Sequence, residues 1–294
     1  LLLDGNEEDR GYEATRTVRD FYERYPFPGY EGTETLRDLV GKGRRCAFTR
    51  LLDDQVPYRT RVLEAGCGTG QLSNFLGVAY RQVIGADLSL ASLWEAERFR
   101  RRGGLSNVGF CQMDLFRPAF RQGVFSLVIC SGVLHHTHDP YGGFRSLARL
   151  VAPGGHVIVG LYNRLGRLGT DVRRMVLKLS RGKAAFVDPR LHQREGERAK
   201  LWFADQYHNP YESRHGMGEV LRWFDRTGFD FIGSVPRMRP FGRLGPDDRL
   251  FAPTRRGGVA DRLGCQMRLL VSGAGEGGLF LMIGRRRGQN GGEG

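Results

Sequence analysis

The chain has 294 residues, with 45 Lys plus Arg against 32 Asp plus Glu, for a formal net charge of +13. Its 40% hydrophobic content, with 18 Phe, 10 Tyr and 3 Trp, excludes a disordered chain and suffices for one large domain with a sizeable core. Gly is high at 43 but follows no three-residue period, which excludes a collagen-like chain.

Only four of the cations are Lys (Lys42, Lys178, Lys183, Lys200), so the basic excess reads as compositional bias and solvation before it reads as an acidic partner. Five Cys, at 46, 67, 111, 130 and 265, show no metal-like spacing. Their odd count in a long chain argues against a disulfide framework. No apolar run approaches the roughly 18–20 residues that span a bilayer. Leu1-Leu2-Leu3-Asp4 lacks the charged region of a signal peptide, and without Met the start reads as truncated. The expectation is a soluble cytoplasmic protein with no membrane partner. Its oligomeric state is not legible.

In chain order, Val18, Phe21 and Tyr22 recur at helical spacing over 11–25, and Pro26 and Pro28 stop that helix. A second helix is expected over 34–53, broken near Gly41 and Gly43. Strands follow at 61–65, 82–86, 108–113, 125–130 and 156–161, with helices at 70–80, 90–102 and 141–152 between them. Strands separated by crossovers of this length mean βαβ units and a mostly parallel sheet, whose ligands bind at the carboxyl ends of the strands. Residues 163–215 form a long insert in which 168–179 reads as a basic amphipathic helix. Met217 to Thr227 is a clear helix with Gly228 as its C-cap, and 229–235 is a sixth strand. An irregular insert is expected over 236–275 and a last strand over 278–285. The organisation expected is an N-terminal helical lid over 1–55, a main domain over 56–287 with cap insertions at 163–215 and 236–275, and a flexible tail over 288–294.

The strongest local signal is Leu63-Glu64-Ala65-Gly66-Cys67-Gly68-Thr69-Gly70. Gly66 and Gly68 permit dihedrals and close approaches that a Cβ resists, and the helix that follows offers free backbone N–H groups. Asp87 ends the second strand, where a carboxylate can accept both hydroxyls of a ribose; it can also cap the next helix, as can Ser89. Asp114 follows the third strand and can accept from an adenine amino group, with Leu88 and Leu115 flanking the ring. As a turn residue it needs no ligand. The loop is tighter than a dinucleotide fingerprint, which argues against a nicotinamide dehydrogenase.

With these residues in place the chain resembles the class I S-adenosylmethionine-dependent methyltransferases, in the subgroup of ubiquinone and small-molecule enzymes. Glu64 to Gly70 matches the family's first motif, Asp87 its ribose-binding acid and Asp114 its acid near adenine. Ser131-Gly132-Val133-Leu134-His135-His136 with Asp139-Pro140 matches the segment after the fourth strand, and Leu150 to His156 the approach to the fifth. The likeness covers about 60–237. The fourth strand departs by starting Phe125-Ser126, where the family has an aromatic followed by Asp. The resemblance implies a Rossmann-like α/β fold: seven strands, mostly parallel, helices on both faces, the last strand antiparallel. It implies S-adenosylmethionine as cofactor, S-adenosylhomocysteine as product, and Glu64, Gly66, Cys67, Gly68, Gly70, Asp87, Leu88, Asp114, Leu115 and Ser131 at the cofactor.

Methyl transfer is an in-line displacement that needs alignment, exclusion of water and, for a protonated nucleophile, a base. No metal is expected, and His135, His136 and His138 have no zinc spacing. Of His135 and His136, after a strand end, one is expected to face the cofactor and the other the core. Catalytic candidates are His208, Tyr162 and His135, with Asp205 beside them; Tyr25, Tyr30 and Tyr207 are candidate lid or substrate residues. A Pro–aromatic clasp packing the N-terminal helix is the structural alternative for Tyr25 and Tyr30. Two inserts able to enclose a compact acceptor favour a small-molecule substrate. RNA or protein is the alternative, with Arg164, Arg167, Arg173, Arg174 and Arg285-Arg286-Arg287 as phosphate-holding candidates.

Overall fold

A computed structural model describes residues 5–30, 34–180, 201, 203–238, 244–272 and 278–288. The tail expected to be flexible falls, from 289 on, outside the described residues.

Three helices precede the sheet: α1 (Gly5–Arg24), α2 (Leu36–Arg45) and α3 (Ala47–Gln55). A reciprocal capping box between Thr35 and Asp38 starts α2. The break between α2 and α3 falls at Cys46, which is extended, and not at Gly41 or Gly43. Gly43 is needed for a different reason: a Cβ there would strike the Phe75 ring. That is close packing of α2 on the helix that carries Phe75, not a helix stop.

Seven strands follow: β1 (Arg61–Ala65), β2 (Gln82–Asp87), β3 (Val108–Gln112), β4 (Phe125–Ser131), β5 (Val151–Tyr162), β6 (Phe229–Val235) and β7 (Leu279–Arg286). They form one sheet in the order β3-β2-β1-β4-β5-β7-β6. β1 to β5 pair in parallel, and β7 runs antiparallel to both β5 and β6. The order reverses between β1 and β4, so their carboxyl ends flank the crevice where ligands of such sheets bind. β1 and β4 are buried on both faces, as central parallel strands must be.

Helices α4 (Gln71–Val78), α5 (Leu90–Arg102) and α6 (Pro140–Ala148) make the crossovers. Ser89 caps α5, and Asp139 with Pro140 at the first helical position starts α6. α6 is shorter than expected and β5 longer. β5 begins at Val151, pairs with Phe125, and absorbs Pro153-Gly154-Gly155 in a register shift before His156 meets Leu127. α7 (Leu168–Leu179) and a π-helical turn (Ala204–His208) occupy the first insert. α8 (Met217–Thr227) ends at Gly228 in the left-handed conformation. The second insert is not wholly irregular: it contains α9 (Val259–Ser272). Cys67, Cys130 and Cys265 are buried thiols, Cys111 is half-buried and Cys46 exposed. Among the described residues no helix is long and apolar enough to cross a membrane.

Candidate active site

The glycine turn after β1 is built by hydrogen bonds to its neighbour strand. Gly66 N–H donates to the Ala86 carbonyl at 2.7 Å. Gly66, Gly68 and Gly70 all have positive φ. At Gly68 a Cβ would also collide with the Phe27 carbonyl oxygen, so the position demands glycine twice over. Asp87 Oδ2 accepts from Gly68 N–H at 2.7 Å, and Oδ1 from Ser89 N–H at 2.9 Å. Burial raises the Asp87 carboxyl above its ordinary range, against these backbone bonds that favour the charge. Burial pushes the Glu64 carboxyl up to about 8, although the Ser73 hydroxyl donates to it.

The N-terminal extension straps this turn. Thr69 N–H donates to the Phe27 carbonyl at 3.3 Å, and the Thr69 hydroxyl to the Pro28 carbonyl. From α1, Glu23 accepts from Leu90 N–H (2.7 Å) and Ala91 N–H (3.0 Å), so it caps α5 across 67 residues of sequence. The Ser89 hydroxyl donates to the Tyr22 carbonyl at 3.2 Å.

Between turn, strap and cap lies a cavity of about 890 Å³. Glu64, Gly66, Cys67, Gly68, Asp87, Leu88, Asp114, Leu115 and Ser131 line it. Gly70 stands behind the wall, where a Cβ would meet Ala96 and the Phe110 ring. Tyr162 lines the cavity; His135 does not, and is fully buried. The expected lid tyrosines are elsewhere. Tyr25 is 40% exposed, Tyr30 stacks on Phe99 with centroids 4.6 Å apart, and Tyr207 stacks on Phe203. The strap instead presents Phe27, Pro28 and Gly29, and α1 presents Thr15, Val18 and Tyr22 at helical spacing. His208 ends the π-helical turn, and its side chain lies outside the described residues.

Opposite the turn the wall is polar. Tyr22 Oη donates to Asp205 Oδ1 at 2.9 Å and accepts from Asn209 Nδ2 at 2.9 Å. Gln206 Nε2 donates to Asp205 Oδ2 (3.0 Å) and to Tyr162 Oη (2.9 Å). Behind them Arg167, wholly buried, donates to Gln206 Oε1 at 2.7 Å, pairs with Glu212, and lies 3.9 Å over the Tyr162 ring. Burial raises the Tyr22 phenol well above its usual value, helped by the Asp205 charge. Burial likewise pushes Tyr162 up to about 12. Both phenols therefore keep their protons at neutral pH.

The two histidines after β4 divide, one to the cavity and one to the core. A turn of 3-10 helix (Leu134–His136) rotates them apart. His136 lines the cavity, and its Nδ1 donates to the Tyr211 carbonyl at 2.6 Å. His135 faces the core, against the Tyr162 ring at 4.0 Å. Burial lowers the pKa of both imidazoles.

The family called methyltransferase domain matches residues 63–159, from β1 through β5. An uncharacterized protein of Synechococcus sp. is 31% identical over 272 residues, covering 81% of this chain and 64% of that protein. A ubiquinone biosynthesis O-methyltransferase of Ralstonia nicotianae is 36% identical over 137 residues, 44% of this chain and 57% of that one. Over residues 63–159 the chain carries this methyltransferase domain.

The chain spans about three-fifths of the length of the curated relatives it matches. Its fold is shared by a chain of the complex between the Haloferax volcanii Trm112 methyltransferase activator and a methyltransferase (TM-score 0.55, 14% identity, 92% of this chain and 97% of that one). It is shared as well by the Synechocystis magnesium protoporphyrin IX methyltransferase with bound S-adenosylhomocysteine (TM-score 0.52, 18% identity, 93% and 99%). At Gly132, which lines the cavity, a Cβ would meet no atom within 4 Å, so the cavity is open beside it.

Proposed function

We propose that this chain methylates a small molecule enclosed in the cavity, with S-adenosylmethionine as methyl donor. The observation that carries this reading is the cavity itself. One space of about 890 Å³ runs from the glycine turn to the Tyr22–Asp205–Gln206–Tyr162 wall. That size suits small ligands, shared here between cofactor and acceptor.

The cofactor supplies a methyl group on a sulfonium, which needs no metal to leave. Asp87 would hold the ribose hydroxyls, Leu88 and Leu115 would flank the adenine with Asp114 at its edge, and the Gly66–Gly68 turn would receive the amino-acid end. Glu64, Cys67 and Ser131 complete that wall. The strap at Phe27–Gly29 and the cap at Asp205–Gln206 exclude water from the reacting centre.

Relatives named ubiquinone biosynthesis O-methyltransferases support a small acceptor. The arginines weigh against RNA. Arg167 and Arg174 pair with Glu212, Arg164 with Glu219, and Arg287 with Asp230. Arg285 and Arg286 donate to backbone carbonyls, and Arg173 to Thr170. Arg167, wholly buried, serves the fold, and the others already have partners within the chain. The reading is tested by calorimetry with S-adenosylhomocysteine, followed by transfer of labelled methyl to a metabolite pool free of RNA and protein. Binding with labelled metabolite is expected; no binding, or no labelled metabolite, would refute it.

A further inference from the structure

We propose that the methyl acceptor is a small molecule of net positive charge, whose cationic nitrogen group pairs with Asp205. This rests on the small-molecule reading above and names the chemistry by which the far wall selects its ligand.

Asp205 lines the cavity and is only 5% exposed. Its Oδ1 accepts from Tyr22 and its Oδ2 from Gln206, and both donors are neutral. Among the described residues no cation pairs with this carboxylate. Arg167 reaches it only through Gln206: Nη1 donates to Gln206 Oε1, while Nε and Nη2 donate to Glu212. The hydrogen bonds to Tyr22 and Gln206 leave open about half of a carboxylate's roughly four lone-pair sites. A ligand that fills the cavity strips water from this charge and must compensate it. A neutral donor replaces a hydrogen bond; a cation replaces the bond and offsets the charge.

The surroundings suit a cation. Tyr22, His136 and Tyr162 line the cavity with Asp205. None of them brings a positive charge to compete for the carboxylate, since burial raises both phenols and lowers the imidazole. The Tyr22 and His136 rings lie edge to face, 6.4 Å between centroids, and an aromatic surface beside a carboxylate favours a cationic nitrogen.

Position also disfavours an anion. Among the described residues that line the cavity, Lys42 is the only permanently cationic side chain. It belongs to the strap beside the glycine turn. Its Nζ donates to Gln71 Oε1 at 2.7 Å, and Gln71 Nε2 donates to the Pro28 and Gly29 carbonyls at 3.3 and 3.2 Å. An acceptor carboxylate or phosphate at the far wall would meet Asp205 with no cation to offset the repulsion. A zwitterion would bring the same conflict, so the acceptor's net charge is positive. Asp205 acts as a specificity residue, selecting by charge, and no proton transfer is assigned to it.

The test uses the full chain. A bacterial metabolite pool is divided on a strong cation exchanger at about pH 7, where amines are charged, and each fraction is incubated with methyl-labelled S-adenosylmethionine. Label should arise only in the retained fraction. Label arising in the unretained fraction overturns the charge assignment and leaves the small-molecule reading standing. Label in neither refutes that reading, and the pairing with Asp205 falls with it. Asp205→Asn keeps the shape of the wall, because its amide can accept from Gln206 and donate to a turned Tyr22 hydroxyl. With the labelled compound it should lower kcat/KM by about 10- to 150-fold, through KM and with kcat little changed. No loss, or a loss confined to kcat, overturns the pairing. Calorimetry then separates the acceptor's cation from the cofactor's own. Wild type and Asp205→Asn should bind S-adenosylmethionine equally, and S-adenosylhomocysteine equally. A loss for S-adenosylmethionine, alone or with S-adenosylhomocysteine, would assign the carboxylate to the cofactor's sulfonium or ammonium and overturn the proposal, whatever the activity.

Discussion

Asp87→Asn isolates the cofactor assignment. The carboxylate sits at the end of β2, buried, with one oxygen on Gly68 N–H and the other on Ser89 N–H. Losing a charged acceptor toward a ribose hydroxyl costs about 1.5–3 kcal/mol, which is about 10- to 150-fold in Kd. The same substitution also weakens the two backbone bonds, so a loss of affinity alone is ambiguous. A second ligand separates the causes. Calorimetry is run with S-adenosylhomocysteine and with its 2′,3′-dideoxy analogue, on wild type and on Asp87→Asn. The wild type should prefer the ribose ligand by about the same 10- to 150-fold, and the variant should not discriminate. Equal losses for both ligands would mean that only the turn was disturbed. A folded variant with unchanged affinity for S-adenosylhomocysteine would refute the assignment outright.

Other consequences concern stability and its pH dependence. Arg167→Met leaves Glu212 short of its buried partner and should destabilise the fold by about 3 kcal/mol in urea titration; an unchanged midpoint would contradict the buried network. Glu23→Ala removes the cap on Leu90 and Ala91 and should cost about 1 kcal/mol, with Glu23→Gln retaining part of it; equal melting of all three chains would contradict a cap. Burial holds Glu64 at about 8 in the fold against 4.5 for the free side chain. The folded state thus binds a proton that the unfolded state releases, and the stability this contributes is full below pH 4.5 and lost as pH rises through about 8. Melting temperatures across that window should fall for wild type relative to Glu64→Gln, and parallel curves would show that Glu64 is not proton-linked.

What the sequence made legible is what local chemistry decides. Helix α5 runs over 90–102 as expected because Ser89 caps it and Arg100 to Arg102 end it within one short segment. The glycine turn and Asp87 are readable because β1 and β2 are adjacent parallel strands whose carboxyl ends line the cavity directly. The break at Cys46 was hidden because Gly41 and Gly43 look like stops, whereas Gly43 serves packing against Phe75. Helix α9 was hidden among glycines, with Val259, Leu263 and Met267 on its exposed side and, among its described side chains, Cys265 and Leu269 buried to signal a core face. The acceptor wall was least legible. Asp205 meets Tyr22 across 183 residues and Arg167 meets Glu212 across 45, pairings that no spacing announces. Tyr22 rather than Tyr25 or Tyr30 reaches the cavity because it shares an α1 face with Thr15 and Val18, the one helical signal that pointed to it.

The central claim is that one cavity joins a cofactor site to a small acceptor. Its most direct measurement is incubation of the purified chain with methyl-labelled S-adenosylmethionine and bacterial extract separated into small-molecule, RNA and protein pools. Label confined to the small-molecule pool, and lost with Asp87→Asn, is the predicted result. Label in RNA or protein would mean that the cavity's far wall does not hold the acceptor, and would contradict the account.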